Sequence, residues 1–207
     1  MVMTTPVPRI TRDRGQTWTQ VRGLPAMARP VADRVNSTLF YALDFSNGAW
    51  FISTDGGATF KPSPSTGLPD IRNDAPRSTT DAWPLHATEG KEGDLWFVSG
   101  QGLFHSIDGG KIFKRSVGTL SVEALSFGKS PKGGDYPALF ALGRQDNTRA
   151  VWRSDDQGVT WLRLNDERHQ WGTRFRCIAA DPRIFGRVYI GTDGRGILYG
   201  EPAPAGN

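Results

Sequence analysis

The sequence predicts an all-β fold of β-propeller blades, about four of them, and three observations carry that prediction. One eight-residue pattern, Ser/Thr-x-Asp-x-Gly-x-Thr-aromatic, occurs four times. Its copies recur at a spacing suited to four-stranded blades. The composition agrees: 207 residues with 25 Gly, 14 Pro, 7 Trp and 11 Phe combine aromatics that suit half-buried pleated surfaces with residues that suit tight reversals.

The four copies are Thr11–Trp18, Ser53–Phe60, Ser106–Phe113 and Ser154–Trp161. The third carries Ile112 where the others have Thr. Their aspartates, Asp13, Asp55, Asp108 and Asp156, stand 42, 53 and 48 residues apart. An Asp in a tight turn accepts hydrogen bonds from backbone N–H groups. The Gly two residues later takes the positive φ that a hairpin reversal needs. The aromatic then restarts a strand and packs inward. Each copy reads as a hairpin staple, an Asp box, and the four aspartates as structural rather than catalytic.

Strands read out between the boxes in one order. Val7–Thr11 and Trp18–Val21 flank the first box as the third and fourth strands of a partial blade. The next blade takes Pro30–Val35, Leu39–Leu43, Ala49–Ser53 and Thr59–Lys61. Then come Trp83–Ala87, Asp94–Ser99, Leu103–Ser106 and Ile112–Arg115, followed by Val122–Gly128, Ala138–Leu142, Ala150–Ser154 and Thr160–Leu164. The last blade offers three strands, Phe175–Ala180, Arg187–Gly191 and Gly196–Tyr199, with Thr192–Gly196 a turn rather than a fifth box. The expected organisation is an extension and partial strand over 1–10, a propeller region over 11–200 and a disordered tail over 201–207. Three complete blades plus partial ones read as an incomplete propeller, either an open arc or a ring of four closed by pairing Trp18–Val21 with Ile197–Tyr199.

Composition and spacing argue against several functions. A net charge of +4 invites a nucleic-acid reading, yet Lys and Arg are scattered, which describes a solvated surface. No apolar run approaches the ~20 residues of a membrane helix. No basic-plus-apolar signal pattern opens the chain. No metal-ligand spacing of Cys and His occurs, no phosphate loop and no nucleophile elbow. The single cysteine, Cys177, sits in Phe175–Ala179 and is expected at a buried strand position. No cofactor is expected.

In a propeller blade the box shares its end of the sheet with the turn between first and second strands. The other end holds the second-to-third turns and the connections between blades. Two of those connections stand out, the long Pro62–Ala82, which ends at Trp83, and Asn165–Thr173. Sugars bind on an aromatic platform ringed by amides and charges. Trp171 with His169, Gln170 and Arg174 fits that recipe, and Trp83 is a second candidate platform. The competing reading has Trp171 packing between blades and His169 capping a backbone group. Glycosidases need two facing carboxylates. Asp44, Asp70, Asp74, Asp81, Asp146, Asp166 and Glu167 are the candidates on the ligand end, and none has a local setting that marks it. The three histidines, His86, His105 and His169, make no credible Ser-His-Asp order.

A family resemblance rests on longer stretches: Asp166–Gly172, Asp181–Gly200, Asp33–Asn36, Tyr41-Ala42, Gly90–Trp96 and Phe127–Lys129. These resemble the C-terminal part of the second propeller of glycoside hydrolase family 74. The resemblance covers nearly the whole chain after about Thr11 and goes beyond the Asp boxes, which sialidases and sortilin-like receptors share. It implies a xyloglucan-cleaving, inverting endo-β-1,4-glucanase with two seven-bladed propellers, a cleft between them and one catalytic Asp from each. The chain would then be an incomplete seven-bladed propeller, whose curvature favours an open arc over a closed ring of four. The second propeller's Asp lies in a Phe-Arg-His-Asp-Asp segment, which this sequence lacks. The implied role is one wall of a glucan cleft, with xyloglucan and a separate N-terminal propeller or further blades as partners, a secreted location and no catalytic residue in this chain. The alternative is a non-catalytic Asp-box module that binds glycans or proteins. A sialidase would need an Arg triad and a Tyr nucleophile that cannot be assembled here.

Overall fold

In a computed structural model, residues 8–25, 28–72, 74, 82–118, 120–169, 175–192 and 194–202 are described. Those residues form seventeen β-strands and no helix, so no helix is long and apolar enough to cross a membrane. A two-stranded hairpin pairs β1 (Arg9–Ile10) with β2 (Thr19–Gln20). Three four-stranded antiparallel sheets follow. The first comprises β3 (Val31–Ala32), β4 (Phe40–Asp44), β5 (Ala49–Ser53) and β6 (Lys61–Ser63). The next comprises β7 (Leu85–Ala87), β8 (Leu95–Ser99), β9 (Gly102–Ser106) and β10 (Lys114–Arg115). The third comprises β11 (Ser121–Gly128), β12 (Ala138–Gln145), β13 (Thr148–Ser154) and β14 (Leu162–Arg163). A three-stranded sheet of β15 (Phe175–Ala180), β16 (Val188–Thr192) and β17 (Ile197–Gly200) is last. Spatial order follows chain order in every sheet, the repeated meander of a propeller blade.

The chain divides into two compact units. One contains Met1–Ala75, Ala87–Leu95 and His105–Lys114, and the other Pro76–His86, Trp96–Phe104 and Arg115–Asn207. In the first, Ala28, Ala42 and Phe60 form a small core with Val21, Leu24, Phe40 and Phe51 against it. In the second, Trp96, Val98 and Leu103 pack on Leu125, Leu139 and Trp152. Ala124, Phe140 and Val151 pack the opposite face against Val188 and Ile190 of β16. Strand β12 is thus covered on both faces, which is why Ala138–Leu142 reads as an unbroken apolar run rather than an alternating one. Buried indoles find acceptors: Trp50 donates to the Gly109 carbonyl at 3.1 Å, Trp152 to the Gly143 carbonyl at 3.1 Å, and Trp96 to the Tyr136 hydroxyl at 2.8 Å.

All four boxes fold the same way. In the second, Ser53 Oγ donates to Asp55 Oδ1 at 2.7 Å and accepts from Gly57 N at 3.0 Å, while Asp55 Oδ1 accepts from Thr59 N at 2.9 Å. The boxes share their end of the sheet with the first-to-second turns: Gly56 N donates to the Thr38 carbonyl, and Gly109 N to the Gly93 carbonyl, both at 2.9 Å. A side chain at Gly110 would meet the Trp50 ring at 2.3 Å, and φ there is +83°, so the third box needs its glycine twice over.

Three expectations are corrected. Fourth strands begin later than the sequence suggests, at Lys61, Lys114 and Leu162, because the box Thr or Ile gives its N–H to the Asp, and Thr59 and Ile112 bridge to Arg22 and Thr66 rather than to the third strand. Box aromatics do not all pack inward: Phe60 and Phe113 are buried, but Trp18 is exposed, since the hairpin of two-residue strands offers it no apolar face. Cys177 is exposed rather than buried. It lies beside a register shift in β15, between Phe175 and Cys177, and its sulfur lies over Gly191. Strand β17 pairs with β16, and β1 with β2.

Candidate functional site

The box aspartates are occupied. Asp13 and Asp55 are pulled down to about 2, Asp13 chiefly by the Thr17 hydroxyl and Asp55 chiefly by the Thr59 backbone N–H. At Asp108 and Asp156 burial pushes upward, but the N–H and hydroxyl donors outweigh it and the net direction is down. Each of these carboxylates accepts backbone N–H groups of its own turn.

The connection after β14 is built from its own side chains. Asn165, buried, accepts from Val151 N at 2.8 Å and donates to the His169 carbonyl at 3.1 Å, which anchors the loop to β13. Asp166 Oδ1 accepts from Arg168 N at 2.9 Å, His169 N at 3.0 Å and His169 Nδ1 at 2.6 Å. The His169 side chain holds the Asp166 carboxyl below its ordinary range. The imidazole, bound to Asp166 through Nδ1, is 60% exposed. Glu167 pairs with Arg163 at 2.7 Å. Gln170, Trp171 and Arg174 lie outside the described residues, so of the proposed platform the structure places only His169. Trp83 is half-buried just before β7, its carbonyl hydrogen-bonded to His86.

The candidate carboxylates divide similarly. Asp44 is buried at the end of β4 and accepts from Ser46 N at 2.9 Å and Ser46 Oγ at 2.7 Å. Asp70 is held down to about 2 by its side-chain bonds to Arg72. Asp146 sits with Asn147 in a left-handed two-residue turn, φ +49° and +64°. Asp74 N donates to the Ile71 carbonyl, and Asp81 lies outside the described residues. Among the described residues no group of His, Cys, Asp and Glu could hold a metal ion.

Two histidines are structural. Burial pushes His86 down to about 4, and its ring stands edge-on to Phe127 at 6.3 Å. His105 Nε2 lies 3.0 Å from Asp94 Oδ1, which also accepts from Thr88 Oγ1 at 2.5 Å. The hydroxyl donates to the carboxylate rather than to the imidazole, so the trio lacks the order of a nucleophilic triad. Sequence reasoning missed a second staple at the first-to-second turns. Buried Asp33 accepts from Val35 N, Asn36 N and Gly93 N, each at 2.8 Å, and from the Tyr41 hydroxyl at 3.0 Å. Buried Asp181 repeats the local half with Arg183 N at 2.8 Å and Ile184 N at 3.1 Å. An Asp opening both turns was the available signal.

No family model matches the chain. Individual proteins do. A xyloglucanase of a Paenibacillus species is 40% identical over 199 residues, covering 93% of this chain and 18% of that protein. A xyloglucanase of Acetivibrio thermocellus is 42% identical over 197 residues, covering 95% of this chain and 22% of that protein. The crystal structure of the GH74 xyloglucanase of Xanthomonas campestris superposes with a TM-score of 0.76 at 34% identity, over 94% of this chain and 27% of that one. The chain thus spans about a fifth of the length of these curated relatives. In sequence over nearly all of its residues, and in fold, the chain is similar to a β-propeller portion of glycoside hydrolase family 74 xyloglucanases.

Proposed function

We propose that this chain forms part of the glucan-binding cleft of a secreted, xyloglucan-specific endo-β-1,4-glucanase, as the C-terminal portion of its second propeller. The carboxylates that cleave the chain lie elsewhere in the enzyme. The observation that carries this reading is the similarity to xyloglucanases along almost the whole chain, at about 40% identity. The site supports it in a second way. Every box aspartate accepts from backbone donors of its own turn, which leaves the connections at the opposite end of each sheet for ligand contact. There, Trp171 would lie under a glucosyl ring, with His169, Gln170 and Arg174 at its hydroxyls and Trp83 as a further platform.

The test is titration of this chain with a xyloglucan oligosaccharide, followed by tryptophan fluorescence, beside an assay for new reducing ends. Saturable quenching without release of reducing ends is expected. Trp171→Ala should lose the binding while near-ultraviolet circular dichroism stays native. Absence of binding by the folded chain, or unchanged binding by Trp171→Ala, would overturn the cleft assignment. Hydrolysis by this chain alone would overturn the placement of the catalytic carboxylates.

A further inference from the structure

The third sheet carries a charge pair at the end opposite its box, and a strand irregularity aims it. In β11 the register shifts between Val122 and Ala124, so two residues there face one on β12. Val122 and Leu125 therefore pack in one core cluster and Ala124 in the other, while Glu123 between them is exposed. Strand β15, the first strand of the next sheet, shifts at the matching point, between Phe175 and Cys177. A bulge re-aims a side chain, and bulges concentrate beside functional sites.

Glu123 is turned toward Arg149 on β13. Arg149 gives both Nε, at 3.1 Å, and Nη2 to one oxygen, Oε2. A guanidinium fork more often takes both oxygens of a carboxylate. Here, among the described residues, nothing donates to Glu123 Oε1, and the side chain is 42% exposed. Arg144 stands directly across from Arg149, and the carboxylate offsets that like-charge pair. Offsetting needs the charge of Glu123 and not an open oxygen. A carboxylate anchored through one oxygen and open at the other is an acceptor held ready for hydroxyl donors, and such charge-assisted bonds are the strong ones.

The position fits a sugar contact. Arg149 follows closely on the Asp146–Asn147 turn that joins β12 to β13. Asn165, which anchors the loop bearing His169, accepts from Val151 N on the same strand. Glu123 and Arg149 thus share the end of the sheet with that loop.

We propose that Glu123 is a sugar-contact residue of the glucan cleft. Its Oε1 accepts the protons of two neighbouring hydroxyls on one ring of xyloglucan, and Arg149 is the positioning residue that holds the carboxylate for them. Neighbouring equatorial hydroxyls of a pyranose ring can converge on one oxygen, which has two lone pairs to offer. This assignment rests on the cleft reading above.

The probe is a xyloglucan oligosaccharide titrated into the full chain and followed by carboxyl-detected NMR. The Glu123 side-chain carboxyl signal should move as the sugar saturates. The Asp155 signal should stay, since its ion pair with Arg153 lies at the box end. In a parallel titration followed by tryptophan fluorescence, Glu123→Gln should weaken binding about tenfold, the loss of a charge-assisted bond. Asp155→Asn, which removes an ion pair of the same kind, should leave binding unchanged. Arg149→Met should weaken binding as well, and Arg149→Lys, which keeps a donor to Oε2, should restore most of it. The NMR arm uses the unaltered chain, so it decides the matter even if a variant misfolds. A Glu123 signal that stays put while sugar binds, or full affinity in Glu123→Gln, would overturn the contact and leave the cleft reading standing. Equal weakening by Asp155→Asn would make the effect one of overall charge and overturn it too. Equal loss in Arg149→Lys and Arg149→Met would overturn the positioning role. Absence of binding by the folded chain would overturn the cleft reading and this assignment together.

Discussion

The first and third Asp boxes make the same hairpin and meet opposite fates. In the first, Thr11 Oγ1 donates to Asp13 at 2.8 Å, Gly15 N donates to Thr11 at 2.8 Å, and Thr17 N donates to Asp13 at 2.8 Å. In the third, the matching contacts from Ser106, Gly110 and Ile112 are 2.7, 3.0 and 3.0 Å. Yet Trp18 is 55% exposed, its indole turned back on the Gly15 carbonyl at 3.1 Å, whereas Phe113 is 2% exposed and edge-on to Trp50 at 5.5 Å. Eight local residues therefore set the turn. Whether its aromatic is buried depends on the sheet alongside, which the box itself does not encode.

The sharpest way to break this comparison is to truncate both aromatics. Phe113→Ala should cost about 3–5 kcal/mol, because a packed ring is replaced by a cavity against Trp50. Trp18→Ala should cost under about 1 kcal/mol, in the range of surface substitutions. Thermal unfolding of the two variants measures the gap, and similar losses would show that the first hairpin contributes a core of its own.

Next in size is the hydroxyl that opens each box. Ser106 is buried, and Ser106→Ala strands the buried Gly110 N–H, at about 1–3 kcal/mol. The Gly15 N–H is exposed and can turn to water. Thr11→Ala should therefore lower the melting temperature by less than half as much as Ser106→Ala. An equal drop would mean that the first box is as tightly enclosed as the third.

Acid should act through the boxes as well. Asp13 and Asp55 ordinarily protonate near 3.8 and are pulled down to about 2 in the fold. A depressed carboxyl contributes stability that is present above its unfolded value and is lost as pH falls through its folded one, here between about 4 and about 2. Asp55→Asn should flatten the fall of melting temperature across that window. Thr17→Val should move Asp13 back toward 3.8 in a carboxyl-detected NMR titration, because the Thr17 hydroxyl is its largest support. A titration of Asp13 unmoved by that change would assign the shift to the backbone donors.

Much of the fold was legible because its signals are local. An Asp, a Gly and an aromatic at fixed offsets marked all four hairpins, and the strands between them fell within a few residues of their observed limits. The readings that failed depend on neighbours. Cys177 sits in an apolar run, but the register shift beside it leaves it exposed. Trp18 has the box pattern without a partner face. The site was less legible. The sequence placed His169 in a polar loop but could not show that Asp166 takes its Nδ1. Glu123 and Arg149 are 26 residues apart and meet because the register shift in β11 re-aims one of them.

The smallest expected effect is a gain, and it isolates one chemical difference between the boxes. In the first and fourth boxes the Thr hydroxyl donates to the second carboxylate oxygen, Thr17 to Asp13 at 2.6 Å and Thr160 to Asp156 at 2.5 Å. The third box has Ile112 there, so Asp108 receives the backbone N–H groups of Lys111 and Ile112 and the Ser106 hydroxyl but no donor from residue 112. Ile112 is 51% exposed, so little apolar burial is lost on replacing it. Thr is also β-branched and keeps the extended backbone that bridges to Thr66. Ile112→Thr should therefore stabilise the chain by about 0.5–1 kcal/mol, the net value of one partly exposed hydrogen bond. It should also lower the Asp108 carboxyl further, since a donor to the ionised form favours that form. Ile112→Val, equal in branching but without the hydroxyl, is the control. If Val stabilises as much as Thr, the gain comes from shape and the hydroxyl adds nothing to the staple.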